Sequence, residues 1–375
     1  QDMGFKNELS DITVLSLEQA VAAPYCGLLL MEAGARVIKV ERPEGDFARD
    51  YDNGANGESC IFAWLNRGKE SVCLNLKEKD DLNFFKILSS KSDILLSNLA
   101  PGTLEKLGIF INDLREENPG LITCKITGYG ESSEANNKKA YDFLVQAESG
   151  LCSVTGTENS PARVGISITD LSTGLTAYSA ILRALIKRGK TGIGIDVSIS
   201  MFDVMADWMN MPLLSHRYLG GAPKRTGLKH ALISPYGAYN CKDNDKILLS
   251  IQSNREFTIF CNNILHQPNL CRDQKYIDNP NRNKNKIELD KIINKVFSKL
   301  KASEVEIMLN KHNIANSRLN TVEDLSNHSL INNGEAIISN EIIRIANLPV
   351  LSENKQNTKV PNLGEHTKSI KSEFN

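Results

Sequence analysis

Asp170 closes the run Val164-Gly165-Ile166-Ser167-Ile168-Thr169-Asp170 and is followed at once by a long apolar-periodic segment. A carboxylate at such a strand-to-helix junction has two uses. It can accept from the free amides of the first helical turn as an N-cap. It can also attack a carbonyl, with the helix N-terminus stabilising its charge. The residue pattern by itself favours the cap. Other chemistries leave no comparable mark. The chain has no GxGxxG after a strand, no GxxxxGK[ST], no GxSxG elbow and no HExxH. Its six histidines lack metal-ligand spacing, so no metal site is expected.

The elements that would position Asp170 alternate between strand and helix patterns. Ile12–Leu17 is a short apolar run suited to a strand. Pro24 opens an apolar helix to Glu32, closed by Gly34. Arg36–Glu41 and Ser71–Leu76 alternate as strands do, and Asp93–Ser97 and Leu121–Ile126 are further apolar strands. Leu171, Leu175, Tyr178, Ile181, Leu182 and Leu185 mark a helix over 171–188, with a turn and strand at 192–200 and a helix at 201–211 after it. This β-α alternation predicts a parallel sheet covered by helices, with ligands at the carboxyl ends of its strands. Gly220, Gly221, Pro223 and Gly227 read as a linker, and residues 236–320 as a smaller domain with a basic, Asn-rich stretch at 279–286. The polar, Pro- and Gly-bearing stretch 349–367 is expected to be a peripheral tail.

Bulk properties narrow the classes. With 375 residues, 41% hydrophobic and 24% charged, the chain is long enough for two domains of a soluble globular protein. A net charge of -1 provides no field for nucleic acid or an anionic membrane. No apolar run approaches the length of a membrane span, and no charged-then-apolar leader pattern follows Gln1-Asp2 and Met3. Eight cysteines without a CxxC pair are expected as reduced thiols in a cytoplasmic compartment.

A resemblance joins these parts. Val14–Arg42 (VLSLEQAVAAPYCGLLLMEAGARVIKVER) resembles the opening of the class III coenzyme A-transferases, the group containing formyl-CoA:oxalate and carnitine CoA-transferases. The match continues in order through GDFARDYD (45–52), FAWLNRGKESVCLNLK (62–77), SNLAPGTLEKLG (97–108), ITGYG (126–130), KAYDFLVQAESGL (139–151), RVGISITDLSTGLTAYSAIL (163–182), HALISPYGAY (230–239) and LGEHT (363–367). The ordered set, covering nearly the whole chain, carries the resemblance. It implies that Asp170 is a covalent nucleophile, acylated by an acyl-CoA and then converted to an aspartyl-CoA thioester. It implies a large Rossmann-like α/β domain, 3–220, with a smaller α/β domain inserted at 221–330 and a C-terminal return at 331–375. Family members form interlocked homodimers, and the same is expected here.

The resemblance also implies a coenzyme A site. Arg42 stands at the adenine end; Leu74 and Lys77 come from the LNLK segment; Asn98, Leu99 and Lys106 come from the SNLAPG segment and its sequel. Lys139, Tyr141 and Asp142 match the stretch beside the reactive end, and Ala22 belongs to the opening loop. Gly165 and Gly174 have two readings: room for the coenzyme arm, or turn and helix-packing positions. CoA esters are expected as substrates, with no tightly bound cofactor. Val21 stands where formyl-CoA transferases carry Gln, and their run of consecutive glycines is absent, which argues against formate and oxalate. The remaining motifs lean toward succinyl-, mesaconyl-, citramalyl-, itaconyl- or glutaryl-CoA. The free carboxylate of such a diacid needs a cation, and Arg49, Arg225 and His230 are the candidates. His230 is also suited to capping a strand start. Related racemases use a His/Asp pair, but no histidine precedes His216. A non-catalytic CoA-ester binder is the other alternative, and the intact Asp170 segment argues against it.

Overall fold

The computed structural model describes residues 3–353 and 358–375. Its contacts divide the chain into two units. The first joins residues up to Leu151 with Arg163–Met211 and Asn332–Asn375; the second joins Cys152–Ala162 with Pro212–Ile331.

The first unit is built on β1 (Thr13–Leu17), β2 (Arg36–Glu41), β3 (Glu70–Cys73), β4 (Ile94–Ser97) and β5 (Ile122–Thr127). Two-residue strands β6 (Gly156–Thr157) and β7 (Ser160–Pro161) form a hairpin that belongs to the second unit, and β8 (Asp196–Ser200) completes the main sheet of the first. All main-sheet pairings are parallel, in the order β3-β2-β1-β4-β5-β8. Successive residues explain the two layers. Val14, Val37 and Leu96 join the core beneath α1 (Ala22–Glu32) and the long helix Ile168–Thr191. Their neighbours Leu15, Ile38 and Leu95 point the other way, into a core with Phe84 and Phe85 of the helix Lys79–Ser90 and Ile370 of the C-terminal helix Thr367–Phe374. Strand order reverses between β1 and β4, and at such a switch point the loops part to leave a crevice at the carboxyl ends.

Sequence and structure differ at two places that bear on the site. The strand expected over 71–76 ends at Cys73, so Leu74–Lys77 turn out of the sheet. The alternating run 164–168 is not a strand, because no neighbouring strand pairs with it. Asp170 is therefore the third residue of the long helix, in its first turn, with Ser167 at the N-cap. Within the tail expected at 349–367, residues 354–357 lie outside the described residues.

In the second unit β9 (Tyr236–Asn240), β10 (Lys246–Ser250) and β11 (Ala315–Arg318) form an antiparallel sheet, order β11-β10-β9. Helices Lys286–Phe297 and Ala302–Lys311 cover it with Leu289, Ile293, Phe297, Val305 and Leu309. The Asn-rich stretch contributes Arg282, which is buried and donates to the Ser234 and Tyr276 carbonyls and to Asn254 Oδ1.

Candidate active site

The loops that follow β1, β2 and β3 enclose a cleft of about 420 Å³ in the first unit. Glu18 and Gln19 line it after β1, Arg42–Asp46 after β2, Leu74–Lys77 after β3, and Leu99 and Thr103 on the β4 side. Asn98 pins the switch point. Its Oδ1 accepts from the Gln19 amide at 3.0 Å, and its Nδ2 donates to the Gln19 carbonyl at 2.7 Å. Arg42 lies over the Phe47 ring, 4.3 Å from its centroid, while its Nε donates to the Gly45 carbonyl. Leu74 is buried in the wall and Lys77 is exposed at the rim.

Beneath the cleft lies a buried charge cluster that sequence reading did not single out. Lys39 Nζ is 2.7 Å from Asp46 Oδ2 and 3.5 Å from Glu18 Oε1; Lys69 Nζ is 2.5 Å from the same Glu18 oxygen. All four side chains are excluded from solvent. Asp46 Oδ1 also accepts from the amides of Ala20 and Ala48, so the cluster ties the β1 and β2 loops together. Lys69 is pushed down to about 8, chiefly by burial, against the opposing pull of Glu18. Lys39 in the RVIKVE alternation was the available signal: an inward position in a fully buried strand demands a partner.

Asp170 stands in a second cluster of the same unit. The helix α6, Asp142–Glu148, follows the earlier helices α2 (Cys60–Asn66), α3 (Lys79–Ser90), α4 (Thr103–Lys106) and α5 (Ile111–Glu117); Ile168–Thr191 is α7. Ser167 offers α7 no side-chain cap. Asp142 of α6 supplies one instead, its Oδ1 accepting from the Asp170 amide at 2.8 Å. The Asp170 carboxyl itself accepts no hydrogen bond among the described residues. Burial, and then the charge of Asp142, push its pKa up to about 7. Tyr51 feels both clusters: burial raises its hydroxyl pKa, and the charges of Asp46 and Asp170 raise it further. Tyr141, at the N-cap of α6, is 70% exposed.

The remaining candidates are placed as follows. Ala22 is buried at the start of α1, with its carbonyl 2.4 Å from where a Cβ on Gly174 would stand. Gly174 thus packs the long helix against α1. Gly165 faces open space. Lys106 and Lys139 are exposed and outside the cleft wall. Arg49 is committed within the fold: it forks onto Glu41 at 2.8 and 2.7 Å, donates to the Pro361 carbonyl and stacks on Phe62. Burial opposes the charge of Glu41, yet Arg49, Lys39 and Ser71 hold its pKa down at about 2. Arg225 and His230 lie in the second unit and border a cavity of about 520 Å³. Arg225 donates to the carbonyls of Thr157, Ser153 and Glu158. His230 Nδ1 accepts from the Leu232 and Ile233 amides, and its ring stacks on Tyr236. A substrate carboxylate would have to displace protein acceptors from Arg49 or Arg225. Among the described residues, no group of three His, Cys, Asp or Glu is placed to hold a metal, and no helix is long and apolar enough to cross a membrane.

A doubly wound sheet with a cleft at its switch point and a half-buried carboxyl at a helix start is the frame of an α/β enzyme. The chain belongs to CoA-transferase family III, whose model matches residues 9–367. It is 32% identical over 330 residues to the succinyl-CoA:glutarate CoA-transferase of Mus musculus, covering 87% of this chain and 75% of that one. It is 29% identical to the acetyl-CoA:oxalate CoA-transferase of Acetobacter aceti over 98% of this chain and 96% of that one. A CAIB/BAIF family protein from Brucella suis superposes with a TM-score of 0.85 at 26% identity, covering 98% of this chain and 99% of that one.

Proposed function

We propose that the enzyme moves coenzyme A from a C4–C5 dicarboxylyl-CoA, such as succinyl- or mesaconyl-CoA, to a second carboxylic acid through Asp170. The carrying observation is the Asp170 carboxyl, half-buried in the first turn of α7 and accepting no hydrogen bond among the described residues. Ionised, it attacks the thioester carbonyl and expels coenzyme A thiolate, leaving an acyl-aspartyl anhydride. The thiolate attacks the aspartyl carbonyl and releases the donor acid, leaving an aspartyl-CoA thioester. The acceptor carboxylate then attacks that thioester, and the returning thiolate takes its acyl group and frees Asp170. No proton is consumed, and the thioester bond energy is carried through both exchanges.

Arg42, Leu74, Lys77 and Leu99 wall the cleft in which the coenzyme is read to lie, with cations for its phosphates and apolar contacts for its base. The succinyl-CoA relative supports the dicarboxylate; the oxalate relative marks the competing acceptor class. Coenzyme A esters are substrates in this reading, with no resident cofactor. Eight unpaired cysteines support a reducing, cytoplasmic setting. An interlocked homodimer is part of the reading, supported by apolar side chains left exposed on the first unit, among them Leu175, Ile186, Trp208 and Met211.

The test is a matrix of succinyl-CoA and acetyl-CoA donors against oxalate and C4–C6 dicarboxylates, read by isotope exchange between ester and free acid. Succinyl-CoA with a C4 or C5 diacid is expected to give the highest kcat/KM. Preferred transfer from acetyl-CoA to oxalate would overturn the substrate class.

A further inference from the structure

Gln146 lies on α6, is 0% exposed, and spends both ends of its carboxamide on the approach to Asp170. Its Oε1 accepts from the Val164 amide at 2.9 Å. Its Nε2 donates to Asp142 Oδ2 at 2.7 Å and stands 3.5 Å from the Ile166 carbonyl. The other oxygen of Asp142 accepts from the Asp170 amide. A continuous path therefore runs from the Val164 amide through Gln146 and Asp142 to the backbone of Asp170. The segment it holds has little else to fix it: residues 164–167 have no regular structure, Gly165 meets open space, and Ile166 is exposed.

We propose that Gln146 is a positioning residue for the transfer reaction, fixing the start of α7 so that the Asp170 carboxyl faces the thioester. This rests on the reading of Asp170 as the nucleophile. Neither polar end of the amide is interchangeable. The Val164 N–H requires an acceptor and the Asp142 carboxylate a donor, so the orientation of the amide follows from its partners. A leucine would leave both half-buried partners without that bond. A glutamate would still accept from Val164 but would turn a carboxylate onto Asp142. Gln146 also matters electrostatically. Its Nε2 donates to the one carboxylate whose charge acts on Asp170.

The test compares Gln146→Leu and Gln146→Glu with the parent enzyme in kcat, KM for the acyl-CoA, the pH profile of kcat/KM and melting temperature. Gln146→Leu is expected to lower kcat about 10- to 100-fold with KM changed less than about threefold, the signature of a displaced nucleophile. Gln146→Glu retains the Val164 bond and so decides the matter if the leucine variant does not fold. Its added negative charge is expected to move the acid limb of the profile upward by about one unit, with activity recovering at alkaline pH. An unmoved acid limb, or a loss that merely tracks the fraction of folded protein, overturns the proposal. Hydroxylamine trapping in the parent enzyme separates the two readings. Without an adduct on Asp170 the nucleophile assignment fails. With an adduct, and unaltered Gln146 variants, the positioning role alone fails.

Discussion

At the scale of single residues, the protonation of Asp170 controls the account. Its ordinary pKa is about 4, and burial with Asp142 nearby moves it to about 7 in the folded chain. In the proposed mechanism the ionised form is the nucleophile, so kcat/KM should rise with pH through an acid limb near 7. A limb at about 4 in the free enzyme would contradict this environment. The same shift makes a stability prediction. A raised carboxyl pKa stabilises the fold below the unfolded value, and that contribution is lost as pH rises through the folded one. Asp170→Asn, which carries no charge, should therefore melt above the parent at about pH 8 and converge with it toward about pH 4. Melting curves across that range test it. The segment around Asp170 was legible in the sequence, but its local geometry was not. Alternation over 164–168 imitates a strand, and only the absence of a pairing neighbour reveals a loop. Gln146 was silent for a related reason: an amide within a helix carries no sign of burial until its partners are placed.

Elements act here through two contacts. Helix α7 approaches α1 over a stripe of small residues, Ser172, Thr173, Gly174 and Ala177, while Leu175 of the expected apolar stripe is 48% exposed. A Cβ at Gly174 would stand 2.4 Å from the Ala22 carbonyl and 3.2 Å from Tyr25 Cβ. Gly174→Val should cost about 1–3 kcal/mol, and more if the helix shifts; chemical denaturation measures the loss. The second contact is the buried cluster under the cleft. Lys69→Met leaves Glu18 charged and half-partnered in the interior, and a loss of about 3–5 kcal/mol is expected. A change below about 1 kcal/mol would show that the Lys69–Glu18 pair is dispensable. Strands β1, β4 and β5 could be read from apolar runs because parallel strands are covered on both faces, and β2 from the alternation of Arg36–Glu41. The charge cluster could not, since Lys69 finds Glu18 across 51 residues of chain and Lys39 finds Asp46 only through the turn of the β2 loop.

The whole molecule joins the two ends of the chain in one unit. Ile370 packs with Phe84 and Phe85, an arrangement that no local pattern encodes and that the family resemblance alone suggested. In the interlocked reading each chain threads its partner, so separation requires unfolding. Mass photometry after dilution to about nanomolar concentration should still show dimers, a range in which an ordinary interface of micromolar affinity would have dissociated. A folded, active monomer there would contradict that architecture.

Covalent capture of Asp170 during turnover tests the central claim most directly. An aspartyl-CoA thioester is an activated carbonyl, so hydroxylamine added with the acyl-CoA donor should leave a hydroxamate on Asp170, found by mass mapping of the peptide spanning Val164–Leu185. The adduct should form with the donor and be absent with free coenzyme A alone. Donor-dependent inactivation with Asp170 unmodified and the adduct on another residue would contradict the account and leave Asp170 as part of the helix start.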